Sequence, residues 1–379
     1  MTTTMSKHVF ITGGTGLVGK NLLPRLLRTF PNSTITLLAR GEDEEEANER
    51  VRTIAKEIEA EEGIADATKR IDGMLGDVSL DHCGLNAEQL ERIVKETTHI
   101  IHGAATIRFD HPIDEARAIN CGGTRRLLAI AHMCAERGTF ERFVYIGSSS
   151  VSGQRAGNIY EHELEMGQKF FNTYEQSKNE SERIVRDNFQ RIPCTVFRPS
   201  IIIGDSRTGK TSSFNVIYIP LRLVQKGMLT YVPGTPNTLM DLVPIDWVDD
   251  AMVHIMSKEE SVGKVFHIPA GPKRAARLDE VVVAAVNYFD KHTPLKHPRK
   301  MEFITREEYE KRRSVMRGRE DALMLQLDTL LPYVTVNRLF DSANADKLFE
   351  GSGIEFPLFK NYSDKIFEYC VKTNWGKNS

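Results

Sequence analysis

The sequence predicts an α/β fold, with a doubly wound parallel sheet followed by a smaller, mostly helical C-terminal region. Through residue 150, short β-rich runs alternate with helical patterns, which is typical of strand–helix–strand units. A glycine-rich turn follows the first of these runs, and the alternation stops after Gly271. The chain has 379 residues, more than one hydrophobic core usually covers, so we expect two domains or one enlarged domain.

Short runs rich in β-branched and aromatic residues are the predicted strands of this sheet. They are His8–Thr12, Thr34–Ala39, Gly73–Leu75, Thr98–His102, Phe143–Gly147, Cys194–Phe197 and Val265–Pro269. Apolar residues at helical spacing predict crossover helices over Leu17–Arg28, Thr124–Arg137 and Tyr174–Arg191. Between the second and third strands, Glu42–Arg70 is a long, highly charged insertion, for which we expect a solvated helix.

The predicted domain boundary lies near residue 270. Residues 5–270 hold the strand–helix alternation, and a loop at about 205–240 within them is expected to contribute to a substrate pocket. Residues 271–379 have helical patterns and clustered basic residues, so we predict a smaller, mostly helical substrate-binding region there.

Composition and charge exclude several classes of function. Hydrophobic residues make up 40% and charged residues 27% of the chain, as in ordinary soluble proteins. The net charge of -2 gives no reason to expect a nucleic acid or a membrane surface as partner. The 5 cysteines are scattered, which favours a reducing compartment and predicts neither disulfides nor a metal site. No apolar run is long enough for a transmembrane segment, so we expect a cytoplasmic protein; the oligomeric state stays open.

The glycine-rich turn predicts a dinucleotide-binding Rossmann domain. Its sequence is Thr12-Gly13-Gly14-Thr15-Gly16-Leu17-Val18-Gly19, and it joins a strand to a helix. Gly13 permits a tight turn, Gly16 lets the backbone approach a pyrophosphate, and Gly19 lets the helix pack close to the sheet. The helix N-terminus then supplies N–H donors for the anion.

Residues at the ends of the next strands indicate which dinucleotide is bound. Arg40 follows the second strand, where a guanidinium suits a 2′-phosphate, so NADPH is favoured and NADH remains possible. Asp77, beside Val78, is a candidate acceptor for the adenine amine. The small side chains of Ala104 and Ala105 would let the cofactor lie flat against the fourth strand's end.

A Tyr-x-x-x-Lys pair is the candidate catalytic machinery. Tyr174 and Lys178 lie four residues apart on one face of a predicted helix. A nearby ammonium is expected to lower the pKa of the phenol, which can then exchange a proton with a carbonyl oxygen during hydride transfer. Lys178 would also hold the nicotinamide ribose. A serine among Ser148–Ser150, with Ser148 the first choice, would donate to the same oxygen.

These motifs together resemble the extended short-chain dehydrogenase/reductases over roughly residues 5–270. The matching residues are Thr12–Gly19, Gly76-Asp77-Val78, His102–Ala105, Asn120, Gly123-Thr124, Ser148, Tyr174, Lys178, Arg198-Pro199-Ser200, Val243–Asp246 and Val248–Ala251. The resemblance implies that Pro199, Ser200 and Ile201 lie beside the nicotinamide.

A narrower resemblance is to the thioester-reductase and fatty-acyl-reductase branch, of the male sterility type. It is carried by Arg40, by the insertion Glu42–Arg70, and by His102-Gly103-Ala104-Ala105-Thr106-Ile107-Arg108-Phe109, which places Thr106 at the cofactor. The C-terminal segments Phe340–Asn344 and Asn374–Gly376 are also similar. The resemblance implies that NADPH reduces an acyl thioester, on CoA or a carrier protein, to an aldehyde or onward to an alcohol.

Three alternatives stay open at the level of sequence. A sugar-nucleotide epimerase or dehydratase, or another carbonyl reductase of the same family, would use the same Ser-Tyr-Lys residues. A dinucleotide-binding redox sensor would keep the glycine turn without catalysis. Finally, Gly204–Thr211 fits the phosphate-binding loop pattern Gly-x4-Gly-Lys-Thr of ATPases and kinases.

Overall fold

Strands and helices alternate through the first two thirds of the computed structural model, which describes residues 7–317, 327–328 and 330–377. The strands are β1 His8–Thr12, β2 Thr34–Ala39, β3 Ile71–Leu75, β4 His99–His102, β5 Arg142–Ile146, β6 Gly157–Ile159, β7 Cys194–Pro199, β8 Ile201–Ile203, β9 Tyr231–Pro233, β10 Leu239–Met240, β11 Leu242–Pro244, β12 Lys264–Ile268, β13 Ala276–Arg277, β14 Glu302–Ile304 and β15 Arg338–Phe340. Residues 5–6 of the first predicted domain, and 318–326, 329 and 378–379 of the second, lie outside the described residues.

The helices connect these strands and build the C-terminal region. They are α1 Leu17–Thr29, α2 Glu44–Glu62, α3 Ala67–Arg70, α4 Ala87–Glu96, α5 Ile113–Glu136, α6 Thr173–Arg186, α7 Tyr218–Gln225, α8 Ile245–Met256, α9 Leu278–His292, α10 Arg306–Val315, α11 Leu331–Thr335, α12 Ala343–Phe349 and α13 Ser363–Lys372.

Within the described residues, 7 strands form one sheet in the order β12-β7-β5-β4-β1-β2-β3. Every neighbouring pair in it is parallel. Successive strands are added outward from β1 on one side and from β4 on the other. Helices therefore cover both faces of the sheet, and the carboxyl ends of its strands meet at one edge. This confirms the predicted α/β class with a doubly wound parallel sheet.

Alternation along the buried strands separates two apolar layers. Val9 and Ile11 point to the core that contains α1 and α8, whereas Phe10 between them points to the core of α4 and α5. Both layers are closed to water, which explains why these strands are continuous apolar runs in the sequence. The predicted strands are therefore confirmed, with shifts of one or two residues at their ends.

Two predicted helix ends were wrong. Helix α5 begins at Ile113, well before the predicted Thr124, because Pro112 precedes it and acidic residues occupy its first turn. The pair Gly122-Gly123 hid this start, since glycine disfavours a helix interior. Helix α6 ends at Arg186 rather than Arg191.

The charged insertion is a helix, as predicted, but only one of its faces is solvated. Asp43 caps α2 by accepting a hydrogen bond from Glu46 N at 2.9 Å, and Gly63 ends it with φ 68°. Its buried residues recur at helical spacing and pack on the sheet; they are Ala47, Val51, Ile54, Ala55 and Ile58. The insertion is therefore fixed against the β2–β3 edge of the sheet.

The C-terminal region shares an apolar core with the segment from Ile203 to Leu242. Phe289, Phe367 and Trp375 pack in one cluster with Tyr218 and Leu242. Short strands also join the two parts, since β13 pairs with β10, β14 with β9, and β15 with β6. The region is thus built from helices and short strands, and a domain boundary near residue 270 stays a prediction.

Candidate active site

A cavity of about 1260 Å³ opens where the sheet strands end at their carboxyl edge, the place where doubly wound sheets bind ligands. All of the residues predicted for the site line it. They are Thr12, Gly13, Thr15, Gly16, Leu17, Val18, Gly19, Arg40, Asp77, Val78, Ala104, Ala105, Thr106, Ser148, Tyr174, Lys178, Pro199, Ser200 and Ile201. The fold therefore brings together residues that are spread over most of the N-terminal 201 positions.

The glycine turn leaves room for backbone contact with a ligand. Gly13 has φ +76°, and a Cβ there would lie 2.7 Å from Ala104 N. A Cβ at Gly19 would lie 2.3 Å from Gly13 O, so only glycine lets α1 pack this close to the turn. Gly16 precedes α1 and no side chain caps the helix. The first-turn N–H groups thus face the cavity without a side-chain acceptor, which fits a pyrophosphate.

Arginine side chains from two elements also line the cavity. Arg40 follows β2, and Arg50 projects from α2. Arg50 was not predicted from the sequence. The apolar residues at helical spacing in α2 could have indicated it, because they place Val51, and therefore the adjacent Arg50, at the edge of the sheet. Asp77 lies nearby, and its Oδ1 accepts a hydrogen bond from Ser79 N at 2.7 Å, which holds the carboxylate in place.

Buried hydrogen bonds hold the central wall of the cavity. The ring of His102 lies between Thr12 Oγ1 at 2.8 Å and Thr124 Oγ1 at 3.1 Å. Burial, reinforced by Lys178, lowers the pKa of His102 to about 3, so the ring is neutral at physiological pH. Next to it, Asn120 Oδ1 accepts from Thr106 N at 2.8 Å, and its Nδ2 donates to Ser177 Oγ at 2.9 Å. These contacts tie the cofactor wall to α6.

Tyr174, Lys178 and the serine cluster meet at the centre of the cavity. Ser148 Oγ lies 2.8 Å from Ser150 Oγ, and Ser149 lines the cavity as well. Lys178 Nζ donates to Ile146 O at 2.8 Å and lies 4.3 Å from the centroid of the Tyr145 ring. The choice of serine stays a prediction, with Ser148 favoured because it lowers the pKa of the Tyr174 phenol.

The pKa of Tyr174 differs from the sequence-based expectation. Burial raises it, and the hydrogen bond with Ser148 opposes this rise only in part. Lys178 is not among the groups that shift the pKa of Tyr174. Burial lowers the pKa of Lys178 itself to about 7, and its Nζ donates to Ile146 O. Tyr174 is therefore a neutral phenol at physiological pH, which suits a hydrogen-bond and proton donor.

A buried ion pair fixes helix α6 to the sheet. Arg198 at the end of β7 donates to Glu182 of α6 through Nε at 2.8 Å and Nη2 at 2.7 Å. Both side chains are almost completely buried, and Arg198 Nη1 lies 3.0 Å from His267 Nε2. Since Lys178 lies one turn before Glu182, this bidentate pair sets the position of Lys178 relative to Pro199.

One end of the cavity is aromatic and includes Phe109 and Tyr174, which belong to the sequence motifs, together with Tyr333, which does not. The ring of Phe109 lies 5.8 Å from that of Tyr174 and 6.1 Å from that of Tyr333. Arg338 of β15 also lines this end, with its guanidinium 5.6 Å from the Tyr333 ring centroid. Both Tyr333 and Arg338 come from the C-terminal region, and no motif in the sequence marks them.

The segment Gly204–Thr211 does not form a phosphate-binding loop. No helix follows it directly, since α7 begins only at Tyr218. Lys210 Nζ lies 2.6 Å from Glu61 Oε2 on α2, and a Cβ at Gly209 would lie 2.1 Å from Lys365 O. The loop is thus covered by α13, and its lysine is engaged by a carboxylate.

The described residues contain neither a candidate metal site nor a candidate membrane span. There, no cluster of 3 or more His, Cys, Asp or Glu side chains is arranged to hold a metal ion. All 5 cysteines are buried and free. Over the same part of the chain, no helix has the length and apolar character needed to cross a membrane. The cytoplasmic location stays a prediction.

The chain is similar to reductases and to peptide synthetases. The family described as Male sterility protein, NAD_binding_4, matches residues 11–252. The fatty acyl-CoA reductase wat of Drosophila melanogaster is 30% identical over 278 residues, which make up 65% of this chain and 53% of wat. The nonribosomal peptide synthetase FrzA of a Cladobotryum species is 30% identical over 281 residues, 72% of this chain and 27% of FrzA. The chain thus spans only about a quarter to a half of these relatives.

Solved structures show the same fold. The terminal R domain from the myxalamid PKS-NRPS biosynthetic pathway superposes with a TM-score of 0.79 at 25% identity, over 97% of this chain and 91% of that one. UDP-glucuronic acid 4-epimerase from Bacillus cereus, in complex with NAD, superposes with a TM-score of 0.65 at 14% identity, over 97% of this chain and 99% of that one. At 14% identity, the similarity to the epimerase shows a shared fold and nothing more.

Proposed function

Because this chain belongs to the male sterility protein family, whose match extends over residues 11–252, we propose that it is an NADPH-dependent reductase of acyl thioesters. Family membership confirms the resemblance to the extended short-chain dehydrogenase/reductases of the thioester-reductase and fatty-acyl-reductase branch, and with it the prediction of a nicotinamide-dependent oxidoreductase. The observation that carries the proposal is that Ser148, Tyr174 and Lys178 line the same cavity as the glycine turn.

The substrate we propose is an acyl group joined to CoA or to a carrier protein. When bound, the reduced dinucleotide supplies a hydride to the thioester carbonyl carbon. As the C=O π electrons move onto oxygen, Tyr174 and Ser148 donate hydrogen bonds to the developing oxyanion, and the neutral Tyr174 phenol transfers its proton. The resulting hemithioacetal then collapses: its hydroxyl gives up its proton as the C=O bond re-forms, the C–S bond breaks, and the released thiolate takes up a proton, which leaves an aldehyde and a free thiol.

Lys178 has a positioning role in this scheme. Its ammonium is held by Ile146 O in the buried wall of the cavity, where it would bind the ribose hydroxyls of the cofactor. Its pKa of about 7 means that only part of the population is charged at neutral pH. Pro199, Ser200 and Ile201 line the cavity on the β7 side and would contact the nicotinamide.

NADPH is proposed over NADH because of the charge at the 2′-phosphate end. Arg40 and Arg50 both line that end and are exposed, so they are available to an anionic group. In Arg40→Asp, the new carboxylate would repel a 2′-phosphate but not a 2′-hydroxyl. The variant should therefore lose affinity for NADPH and keep it for NADH, as measured by fluorescence titration; equal losses for both would contradict the assignment.

The activity itself is tested by following NADPH absorbance and free thiol together with a panel of acyl-CoAs. The proposal expects NADPH consumption that depends on the thioester and releases CoA. One NADPH consumed per thiol indicates an aldehyde product, whereas two indicate an alcohol. Tight NADPH binding without net oxidation would contradict it, and would favour a sugar-nucleotide epimerase or dehydratase, another carbonyl substrate or a redox sensor.

A further inference from the structure

Arg338 is a buried guanidinium without a protein acceptor at two of its nitrogens. Its residue is 9% exposed, and its Nε and Nη2 atoms are buried without a hydrogen-bond partner within the described part of the chain. An unpaired polar group of this kind costs free energy unless a ligand pairs with it. Burial lowers the pKa of Arg338, but a guanidinium remains charged at any physiological pH.

The Glu175 carboxylate attracts the Arg338 guanidinium electrostatically, but hydrogen bonds from other groups engage both of its oxygens. Its Oε2 accepts a hydrogen bond from Phe171 N at 2.9 Å, and its Oε1 accepts one from Tyr333 OH at 3.0 Å. No ion pair within 4.0 Å joins Arg338 to any carboxylate in the described residues. Two aromatic rings also contact the guanidinium, which lies 5.5 Å from the Phe171 ring centroid and 5.6 Å from that of Tyr333.

The backbone that carries Arg338 is fixed on both sides. Strand β15 pairs with β6, and hydrogen bonds flank the pairing, from Gly157 N to Asn337 O at 2.9 Å and from Asp341 N to Ile159 O at 2.9 Å. The His267 ring further holds Asp341 O at 2.6 Å. A guanidinium on such a rigid element is pre-organised for a ligand, since little ordering is needed on binding.

Arg338 lines the same cavity as Tyr174 and is connected to it through a row of aromatic rings. It follows the aromatic row Tyr174, Phe109, Tyr333, in which each ring contacts the next. The residues two positions before and after it, Val336 and Phe340, also line the cavity and are apolar. A planar fork of donors matches a carboxylate in bidentate geometry.

We propose that Arg338 binds a carboxylate carried by the acyl group of the substrate, so that the preferred thioesters are monothioesters of dicarboxylic acids. This assignment rests on the proposed thioester chemistry but names a different part of the substrate. A plain fatty-acyl chain would leave the guanidinium without an acceptor.

The test compares a carboxyacyl series, succinyl-, glutaryl- and adipyl-CoA, with butyryl-, valeryl- and hexanoyl-CoA. Dissociation constants are measured by calorimetry without cofactor, where no turnover occurs, and kcat/KM is measured with NADPH. At least one carboxyacyl-CoA should bind more tightly than its uncharged counterpart, and Arg338→Gln should remove that advantage, about tenfold or more, as for a charge-assisted hydrogen bond. Arg338→Lys, which keeps the charge without the fork, should retain part of it.

Arg312→Gln is the matched control. Arg312 also lies over a tyrosine ring, 5.0 Å from the Tyr231 centroid, but it pairs with Glu308 and lies outside the cavity lining. The control should leave the preference intact. If Arg338→Gln folds poorly, as judged by its thermal midpoint, the Arg338→Lys comparison decides.

Three results would overturn the assignment. The first is that the unaltered protein binds carboxyacyl-CoAs and uncharged acyl-CoAs equally tightly. The second is that Arg338→Gln weakens the binding of both series by the same factor. The third is a loss seen with CoA thioesters but absent with N-acetylcysteamine thioesters, which would assign the anion to the phosphate of the pantetheine arm. The binding measurement separates the two proposals. A preference for carboxyacyl-CoAs without NADPH oxidation would refute the proposed reductase activity and retain the carboxylate-binding role of Arg338. NADPH oxidation without that preference would retain the reductase activity and refute the role of Arg338.

Discussion

Arg50 shows how a single side chain on the insertion helix reaches the cofactor end of the cavity. It lies next to the buried Val51 of α2, and it shares the cavity lining with Arg40. We predict that Arg50→Gln weakens NADPH binding about fivefold, the effect of losing about 1 kcal/mol from an exposed charge pair, and leaves NADH binding unchanged. Fluorescence titration with both cofactors measures this difference.

Arg52→Gln is the control for that prediction. Arg52 lies two residues further along the same helix, is exposed, and pairs with Glu49 at 3.0 Å outside the cavity lining. It should bind both cofactors as the unaltered protein does. If Arg50→Gln and Arg52→Gln lost the same amount of NADPH affinity, the total charge of α2, and not the position of Arg50, would determine NADPH binding.

His102 makes the stability of the protein depend on pH. Its folded-state pKa of about 3 lies below the ordinary value of 6.5, so between these values the unfolded chain takes up a proton that the folded chain does not. Acidification from pH 6.5 towards 3 therefore favours unfolding, by about 1.4 kcal/mol per pH unit for this one group. Above pH 6.5 this contribution is constant.

His102→Asn should flatten the fall of stability at acid pH. Urea titrations between pH 8 and pH 4.5 should show a smaller decrease in the free energy of unfolding for His102→Asn than for the unaltered protein. The exposed His162 serves as control, and His162→Asn should keep the original slope. If the free energy of unfolding fell equally steeply with acidification in all three proteins, the conclusion that His102 is buried and neutral would be refuted.

At the scale of elements, our proposal places the pyrophosphate of the cofactor at the junction of the glycine turn with α1. In Gly19→Ala the new methyl group would stand 2.3 Å from Gly13 O, which is backbone and yields only if the whole turn moves. We expect the affinity for NADPH to fall at least about tenfold, because the N–H groups of the turn lose their alignment with the pyrophosphate. Calorimetric titration measures the loss.

Gly63→Ala separates this effect from backbone strain. Gly63 ends α2 with φ +68°, and a Cβ there meets nothing within 4 Å. The substitution should cost about 1 kcal/mol of stability and leave NADPH affinity unchanged. Undiminished NADPH binding by Gly19→Ala would show that the turn tolerates displacement.

The sequence was sufficient for elements whose signals are local. The buried strands and the turn Thr12–Gly19 are each encoded by contiguous residues, so periodicity and glycine spacing predict them. The start of α5 at Ile113 was missed because Gly122-Gly123 lies within the helix, where packing against the sheet outweighs intrinsic propensity. The buried face of α2 was also not predicted, because charged residues surround its few apolar positions in the sequence.

At the scale of the whole molecule, the site is completed by chain segments that are distant in sequence. Glu175 accepts a hydrogen bond from Tyr333, which is 158 residues away, and Arg338 reaches the cavity only because β15 pairs with β6. Such contacts depend on the packing of the C-terminal region and have no local pattern. For the same reason Tyr174 could be identified from the sequence, but the burial that raises its pKa could not.

The most direct test of the account is the rate of acyl-CoA-dependent NADPH oxidation in Tyr174→Phe, with thiol release followed in parallel. Phe keeps the ring and its contact with Phe109 but lacks the phenol proton. We predict a fall in kcat of about 10²- to 10⁴-fold, the range for loss of a general acid, with the dissociation constant for NADPH unchanged. Turnover retained within a fewfold of the unaltered enzyme would contradict the assignment of Tyr174 as the proton donor.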